Sequence, residues 1–132
     1  MDLSIISESF GQDRRDWLGS AHGTDAPRSI TVDLSKGFVS GTHYPAGFLK
    51  SGLPLGKVTA SGKYGLYDDA ASDGRQTLVG FLFTPVDLRK NSTATAALGA
   101  SILLHCFIAE AKLPVAVDAN GKADVAGRII FV

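Results

Sequence analysis

Alternating apolar and polar positions predict the first strand of the chain. From Ser29 onward, Ile30, Val32 and Leu34 are separated by polar residues, which is the period of a strand with one buried face. Residues 1–28 show no sustained helical or strand period. We therefore predict an extended N-terminal arm over residues 1–28 and a β-rich domain over residues 29–132.

Two further strands are predicted on either side of a tight turn. Residues 57–60 and 63–67 flank Ser61 and Gly62, and glycine adopts the positive φ that short hairpin turns need. The polar segment that follows, residues 68–74, ends in Asp-Gly and is predicted to be a loop.

Two continuous apolar runs are typical of strands that are buried on both faces. We place residues 76–83 at the centre of the core and interpret residues 101–109 as one strand, because the run is short for a helix. Periodicity alone fits a helix in the second run as well. Residues 128–132 are predicted to form the last strand, and the whole pattern predicts a mainly β fold with little helix.

The composition narrows the class of protein. The chain has 132 residues, of which 45% are hydrophobic and 20% charged, as is ordinary for one globular domain. Thirteen basic residues balance thirteen acidic ones, so direct binding to nucleic acid is disfavoured. The sequence shows neither a membrane-spanning apolar run nor a signal peptide pattern. We expect a protein with no membrane partner that is made in the cytoplasm of its host cell.

The single cysteine does not predict catalysis. Cys106 lies within the second apolar run, and the neighbouring His105 points to the opposite face of a strand, so the two side chains cannot act as nucleophile and base. We interpret Cys106 as a small core residue. No catalytic residue is assigned.

The other polar residues lack the spacing of a metal or cofactor site. Asp68, Asp69 and Asp73 lack the ligand positions of a calcium loop and are interpreted as a solvated turn. The three histidines are scattered and are expected at the surface or at an interface: His22, His43 and His105. The sequence therefore predicts no bound metal and no cofactor.

Isolated large apolar side chains in the arm are the remaining candidates for a specific role. They are Ile6, Phe10 and Trp17. A tryptophan in a segment too polar to form its own core either packs back on the domain or anchors a partner. The composition alone leaves both roles open for Trp17.

Several short motifs, taken in order, resemble the head decoration protein family of lambda-type phages. The similarity runs from about residue 53 to residue 132 and rests on Leu53-Pro54-Leu55-Gly56-Lys57, a strand with Tyr64 and Tyr67, Asp73-Gly74 before Leu78-Val79-Gly80-Phe81-Leu82, and Ala126-Gly127-Arg128-Ile129-Ile130-Phe131. Residues 29–49 are similar to decoration proteins of other tailed phages. The chain departs from the lambda pattern in a longer segment before residue 53 and a more apolar run at residues 101–109.

The resemblance implies a compact, single mixed-β or barrel-like domain. It also implies a structural virion protein, not an enzyme, that binds the major capsid protein as a homotrimer at the three-fold and quasi-three-fold positions of the expanded capsid. On the outer surface of the phage head, such a protein holds the shell against the pressure of packaged DNA.

In that setting the strand after the arm becomes a candidate for contact with the capsid. We hypothesise that the segment Ser29-Ile30-Thr31-Val32-Asp33 pairs edge-on with a capsid strand, because an extended alternating segment suits β-strand addition. An internal strand of the domain fits the same pattern. The side chains expected to pack against the shell or a neighbouring subunit are Ile6, Phe10 and Trp17.

Two other classes of function compete with this hypothesis. A β-barrel binding module for an oligonucleotide or a carbohydrate is the main alternative, since short glycine-bent strands also build such barrels. The neutral charge argues against the oligonucleotide. An enzyme that uses Cys106 is the third hypothesis, and an exposed thiol of low pKa would support it.

Overall fold

The described part of the chain consists mainly of short strands. The computed structural model describes residues 15–44, 47–88 and 98–132. In chain order its elements are β1 (Arg28–Val32), α1 (Ser40–His43), β2 (Phe48–Leu49), β3 (Pro54–Lys57), β4 (Tyr64–Leu66), β5 (Gly80–Leu82), β6 (Val86–Asp87), β7 (Leu98–Leu103), β8 (Cys106–Ile108), a 3₁₀ helix (Glu110–Lys112), α2 (Ala119–Asp124) and β9 (Ile129–Phe131). The prediction of a mainly β fold with little helix is confirmed.

Five of these strands form a closed barrel, in the order β1, β4, β3, β5, β7. β1 pairs antiparallel with β7 along its whole length, from Arg28 opposite Ile102 to Val32 opposite Leu98. On its other side β1 runs parallel to β4, and the two strands pair at Val32 and Tyr64 alone. The barrel is therefore fully paired on one side of β1 and joined at a single position on the other.

Inward-pointing side chains fill the barrel. Val32, Leu55 and Leu82 come from three different strands and are fully buried, because alternate side chains of a strand share one face. The same core contains buried side chains from other strands and loops: Phe38, Leu49, Leu53, Val86, Leu98 and Ile102. Each large apolar side chain buried in this way stabilises the fold by about 1.5–3 kcal/mol.

A second sheet packs against the barrel. β8 and β9 run parallel, with Cys106 opposite Ile129 and Ile108 opposite Phe131. Their buried side chains join Phe81 and others in a second core cluster. β5 therefore contributes to both cores, with Leu82 in the barrel core and Phe81 in the second one.

Residues 17–19 extend the second sheet on the other side of β8. The N–H of Gly19 donates to the carbonyl of Phe107 at 2.9 Å, and the N–H of Ala109 donates to the carbonyl of Trp17 at 2.7 Å. The packed domain therefore includes residues 17–19, which the sequence pattern had led us to place in the arm.

Trp17 ties this N-terminal segment to the rest of the molecule. Its side chain is 0% exposed, and its Nε1–H donates to Ser51 Oγ at 3.0 Å. The indole lies 6.4 Å from the ring of Phe81, centroid to centroid. A Cβ at Gly52, whose φ is +83°, would come within 2.9 Å of the indole, so glycine is needed beside the ring. Of the two roles that the sequence left open, the structure shows packing back on the domain.

The apolar run at residues 101–109 does not form one strand, so that prediction is wrong. β7 and β8 are separated by a bend at Leu104 and His105. The guanidinium of Arg128 donates to the carbonyls of Leu104, at 2.9 Å, and of Val79, at 3.0 Å. These bonds satisfy backbone acceptors where the strand ladder is interrupted. The bend lets a single apolar run supply one strand to the barrel and one to the second sheet.

The predicted hairpin forms with shifted bounds. β3 and β4 are antiparallel, with Leu55 opposite Leu66 and Lys57 opposite Tyr64. The first of these strands ends at Lys57 and does not continue to Ala60. The chain turns earlier than the sequence pattern indicates, because the N–H of Val58 already bonds across the turn to the carbonyl of residue 63.

The helices are short. α2 begins after Asp118, whose carboxylate accepts a hydrogen bond from the N–H of Gly121 at 2.8 Å and so caps the first turn. Within the described ranges, no helix has the length and apolar character needed to cross a bilayer.

We predict that the Trp17–Ser51 hydrogen bond couples the N-terminal segment to the domain. Trp17→Phe keeps a buried ring but removes the donor, and Ser51→Ala removes the acceptor. A double-mutant cycle on the free energy of unfolding, measured by urea denaturation, should give a coupling of about 0.5–1.5 kcal/mol. A coupling near zero would mean that this hydrogen bond adds nothing to the backbone pairing and apolar packing that hold the segment.

Candidate functional site

The barrel wall opens where β1 and β4 part. The two strands pair at Val32 and Tyr64, and no β4 partner faces the part of β1 before Val32. A cleft of 470 Å³ lies at this opening. Residues 28–31 of β1 line one part of it, Lys57 and Tyr64 line another, and apolar side chains of the barrel complete it.

The backbone of β1 presents hydrogen-bonding groups to this opening. The N–H of Asp33 donates to the carbonyl of Tyr64 at 2.9 Å, so the peptide groups of residue 33 face β4. The N–H and C=O groups of successive residues in a strand point to opposite sides, so residues 29, 31 and 33 share one side. The N–H and C=O of Ser29 and the N–H of Thr31 therefore point toward the opening. β1 therefore has an exposed edge of the kind to which a further strand can be added.

The charge around the cleft is positive. Arg28 and Lys57 are exposed, and none of the described residues that line the cleft is acidic. Because the chain as a whole has no net charge, this is a local property of the opening. The arrangement suits a partner segment that brings carbonyl or carboxylate oxygens.

The structure separates the residues that the sequence grouped as one site. Ser29 and Thr31 are exposed, Ile30 is partly buried and Val32 is completely buried in the barrel. The buried ring of Trp17 lies in the second core, apart from the cleft. Ile6 and Phe10 lie outside the described residues.

A second surface was not expected from the sequence. Ile130 is 51% exposed and Val132 is 68% exposed, although both belong to the final apolar stretch. Ile130 lies in β9 beside the buried Ile129, and Val132 follows directly after the strand. Residues 129–132 are all apolar, so no alternation in the sequence distinguishes this outward face from the buried one.

The chemically distinctive side chains are used in packing. Cys106 is 1% exposed, and desolvation by burial raises the pKa of its thiol to about 11, against a weaker opposing effect of Arg128. Nδ1 of His43 accepts a hydrogen bond from the N–H of Val39 at 2.8 Å. Burial, followed by the charge of Lys50, lowers the pKa of His43. Neither side chain has the exposure of a reactive group.

The tyrosine at the end of β4 forms a structural link with α2. The hydroxyl of Tyr67 donates to Asp118 Oδ1 at 2.7 Å, and burial, together with this bond, raises the pKa of Tyr67. The N–H of Gly121 and the hydroxyl of Tyr67 lower the pKa of Asp118. Within the described ranges, no three or more His, Cys, Asp or Glu side chains cluster in a way that could hold a metal ion.

Comparison with known proteins places this barrel in a family. The model of the family described as bacteriophage lambda head decoration protein D matches residues 31–128, which is 98 of the 132 residues and includes four barrel strands and the end of β1. No curated protein matches the chain. A family match of this length, over the strands that form the barrel, shows that the chain belongs to the lambda head decoration protein family, whose members are structural components of the phage head.

Proposed function

We propose that the chain binds the outer surface of the expanded phage capsid as a homotrimer. Its partner is the major capsid protein, its positions are the three-fold and quasi-three-fold axes, and its effect is to stabilise the head against the pressure of packaged DNA. In this proposal the protein is assembled onto the head in the host cytoplasm and remains on the virion. The observation that carries the proposal is the exposed edge of β1 beside the cleft.

The open edge gives a physical route to attachment. A capsid strand placed along Ser29 and Thr31 receives backbone hydrogen bonds from β1, and the outward side chains of these two residues do not obstruct it. β1 is at the same time an internal strand on its β7 side. Pairing with a capsid strand and pairing inside the domain are therefore compatible for residues 29–32, since each uses a different edge of β1.

A trimer would multiply modest contacts. Once one copy has docked, binding of the linked copies becomes intramolecular, and weak single-site affinities combine. The neutral net charge means that no overall repulsion opposes contact between copies. The exposed Ile130 in β9 and the exposed Val132 just after it provide apolar area for such a contact.

An oligonucleotide or carbohydrate-binding module remains the second candidate. A closed five-stranded barrel with Arg28, Lys57 and Tyr64 at a cleft has features in common with such modules. Retention on a single-stranded DNA column at about 0.15 M salt would favour it. The balanced charge leads us to expect no retention.

The capsid proposal predicts selective binding to expanded shells. Purified protein is mixed with expanded shells and with unexpanded precursors, the shells are pelleted, and bound copies are counted by gel densitometry. We expect saturable binding to expanded shells, with a copy number that matches the three-fold and quasi-three-fold sites. Absence of binding to both shells, or equal binding to both, would contradict the proposal.

Strand addition predicts that the backbone N–H of Ser29 matters more for attachment to the capsid than the side chain of the same residue. Ser29→Pro removes the N–H on the open side of β1 and leaves the ladder with β7 in place, a position where proline is tolerated. We expect it to weaken attachment to expanded shells by about 0.5–1.5 kcal/mol per copy. Shell pelleting over a range of protein concentrations measures this loss.

The matched control is Ser29→Ala, which removes the hydroxyl and keeps the N–H. It should bind as the unmodified protein does, and both variants should show an unchanged thermal unfolding midpoint. Equal binding by Ser29→Pro and Ser29→Ala, with both folded, would show that no strand is added at this edge.

A structural role predicts an unreactive thiol. Because Cys106 is buried and its pKa is raised to about 11, the native protein should react with a disulfide reagent at neutral pH far more slowly than the protein in urea. Absorbance of the released thiolate measures both rates. Rapid reaction of the native protein would revive the enzyme hypothesis.

A further inference from the structure

We propose that His22 and His105 form a binding site for a divalent transition-metal ion of the zinc or nickel type. Their side chains come from positions 83 residues apart, yet Nε2 of His22 lies 2.8 Å from Nδ1 of His105. Both side chains are exposed. Two imidazoles held together at a surface are a ligand pair that zinc, nickel and copper ions favour.

The fold holds these two rings together through the backbone. Gly23 has a φ of +79°, and a Cβ on it would lie 1.8 Å from the carbonyl oxygen of His105. The turn that carries His22 therefore sits directly on the bend between β7 and β8, an approach that only glycine permits. The pairing of residues 17–19 with β8 fixes the same segment from the preceding side.

Local contacts orient the His22 ring as well. The backbone N–H of His22 donates to Ser20 Oγ at 3.1 Å, and Thr24 Oγ1 donates to the carbonyl of Ala21 at 2.7 Å. The ring packs edge-on against Phe107, with 5.3 Å between centroids. Much of the orientation that a two-ligand site requires is thus present before an ion arrives.

The geometry needs only a small adjustment to accept an ion. With metal–nitrogen distances of about 2.0–2.1 Å and a tetrahedral angle, two ligand nitrogens lie roughly 3.3 Å apart. The observed distance of 2.8 Å therefore has to increase by roughly half an ångström. Because both rings are at the surface, they can move outward without disturbing either core.

Binding of the ion requires one ring hydrogen to change its position. In the free protein one ring N–H donates to the lone pair of the other ring. When the ion binds, the donating ring moves its hydrogen to its far nitrogen, so that both facing nitrogens present lone pairs and both rings stay neutral. No His, Cys, Asp or Glu from the described residues completes a cage, and water fills the remaining positions, as in open two-histidine sites.

An ion at this site would link the N-terminal segment to the barrel. His22 lies five residues after Trp17 in the sequence, and the bend at His105 joins the barrel to the second sheet. A bound ion stabilises the folded state because the two ligands separate on unfolding. The segment that carries Trp17 should then open less often.

The test uses untagged protein at pH about 7.5, since these metal ions bind the neutral form of an imidazole. After treatment with EDTA and its removal, ZnCl₂ or NiCl₂ is titrated by calorimetry, and the thermal unfolding midpoint is measured with and without the ion. We expect about one ion per chain, a higher midpoint with zinc or nickel, and no response to MgCl₂, because magnesium prefers oxygen ligands.

His22→Gln and His105→Gln provide the matched variants, since glutamine keeps a hydrogen-bonding side chain but is a poor ligand for these ions. Each should weaken binding at least about tenfold and abolish the shift in midpoint, with an unchanged midpoint in EDTA. In the unmodified protein, Ni²⁺ should broaden the imidazole NMR signals of His22 and His105 before that of His43. Binding of equal strength in the variants, no binding at millimolar ion, or broadening of His43 first would overturn the proposal.

Discussion

The hydrogen-bond ladder between β1 and β7 is the interaction on which the rest of the structure depends. It holds β1 in place from Arg28 to Val32, so the barrel needs only one further pair, between Val32 and Tyr64, to close on the other side. Since the ladder fixes β1, the edge before Val32, which pairs with no strand among the described residues, is also rigid. A rigid edge loses little conformational entropy when a strand is added to it, which is the property that a docking surface needs.

The second core depends on residues that precede the barrel. Trp17 fills it, and the backbone of residues 17–19 extends the sheet formed by β8 and β9. The approach of Gly23 to the carbonyl of His105 holds the same segment a few residues later. Residues 17–23 are thus part of the folded domain, and they fix the approach of the chain to β1 from the side of the second core.

A structural role in the phage head agrees with how this molecule uses its reactive groups. The thiol of Cys106 is buried, and His43 accepts a backbone hydrogen bond inside the fold. Attachment by many repeated contacts requires surfaces, edges and symmetry in place of activated nucleophiles. The cleft beside β1 and the exposed Ile130 and Val132 at the end of the chain are two such surfaces.

Local patterning was enough to predict the class of fold and the position of its centre. The alternation at Ile30, Val32 and Leu34 indicated β1, and the apolar run at residues 76–83 indicated the strand whose Phe81 and Leu82 are completely buried. These predictions succeed because the face that a strand side chain occupies follows from its parity, and parity is a property of neighbouring residues. The exposed side of β9 carries no such signal, because residues 129–132 are all apolar.

Contacts between distant residues could not be obtained in this way. Whether Trp17 faces a partner or the core depends on Ser51 and Gly52, and the bend that divides residues 101–109 depends on Arg128. The exposed edge of β1 likewise exists because β4 pairs with it at one position only. Hydrogen bonds and packing across the chain determine all of these features, and a hydrophobic pattern carries no information about which distant residue will supply the partner.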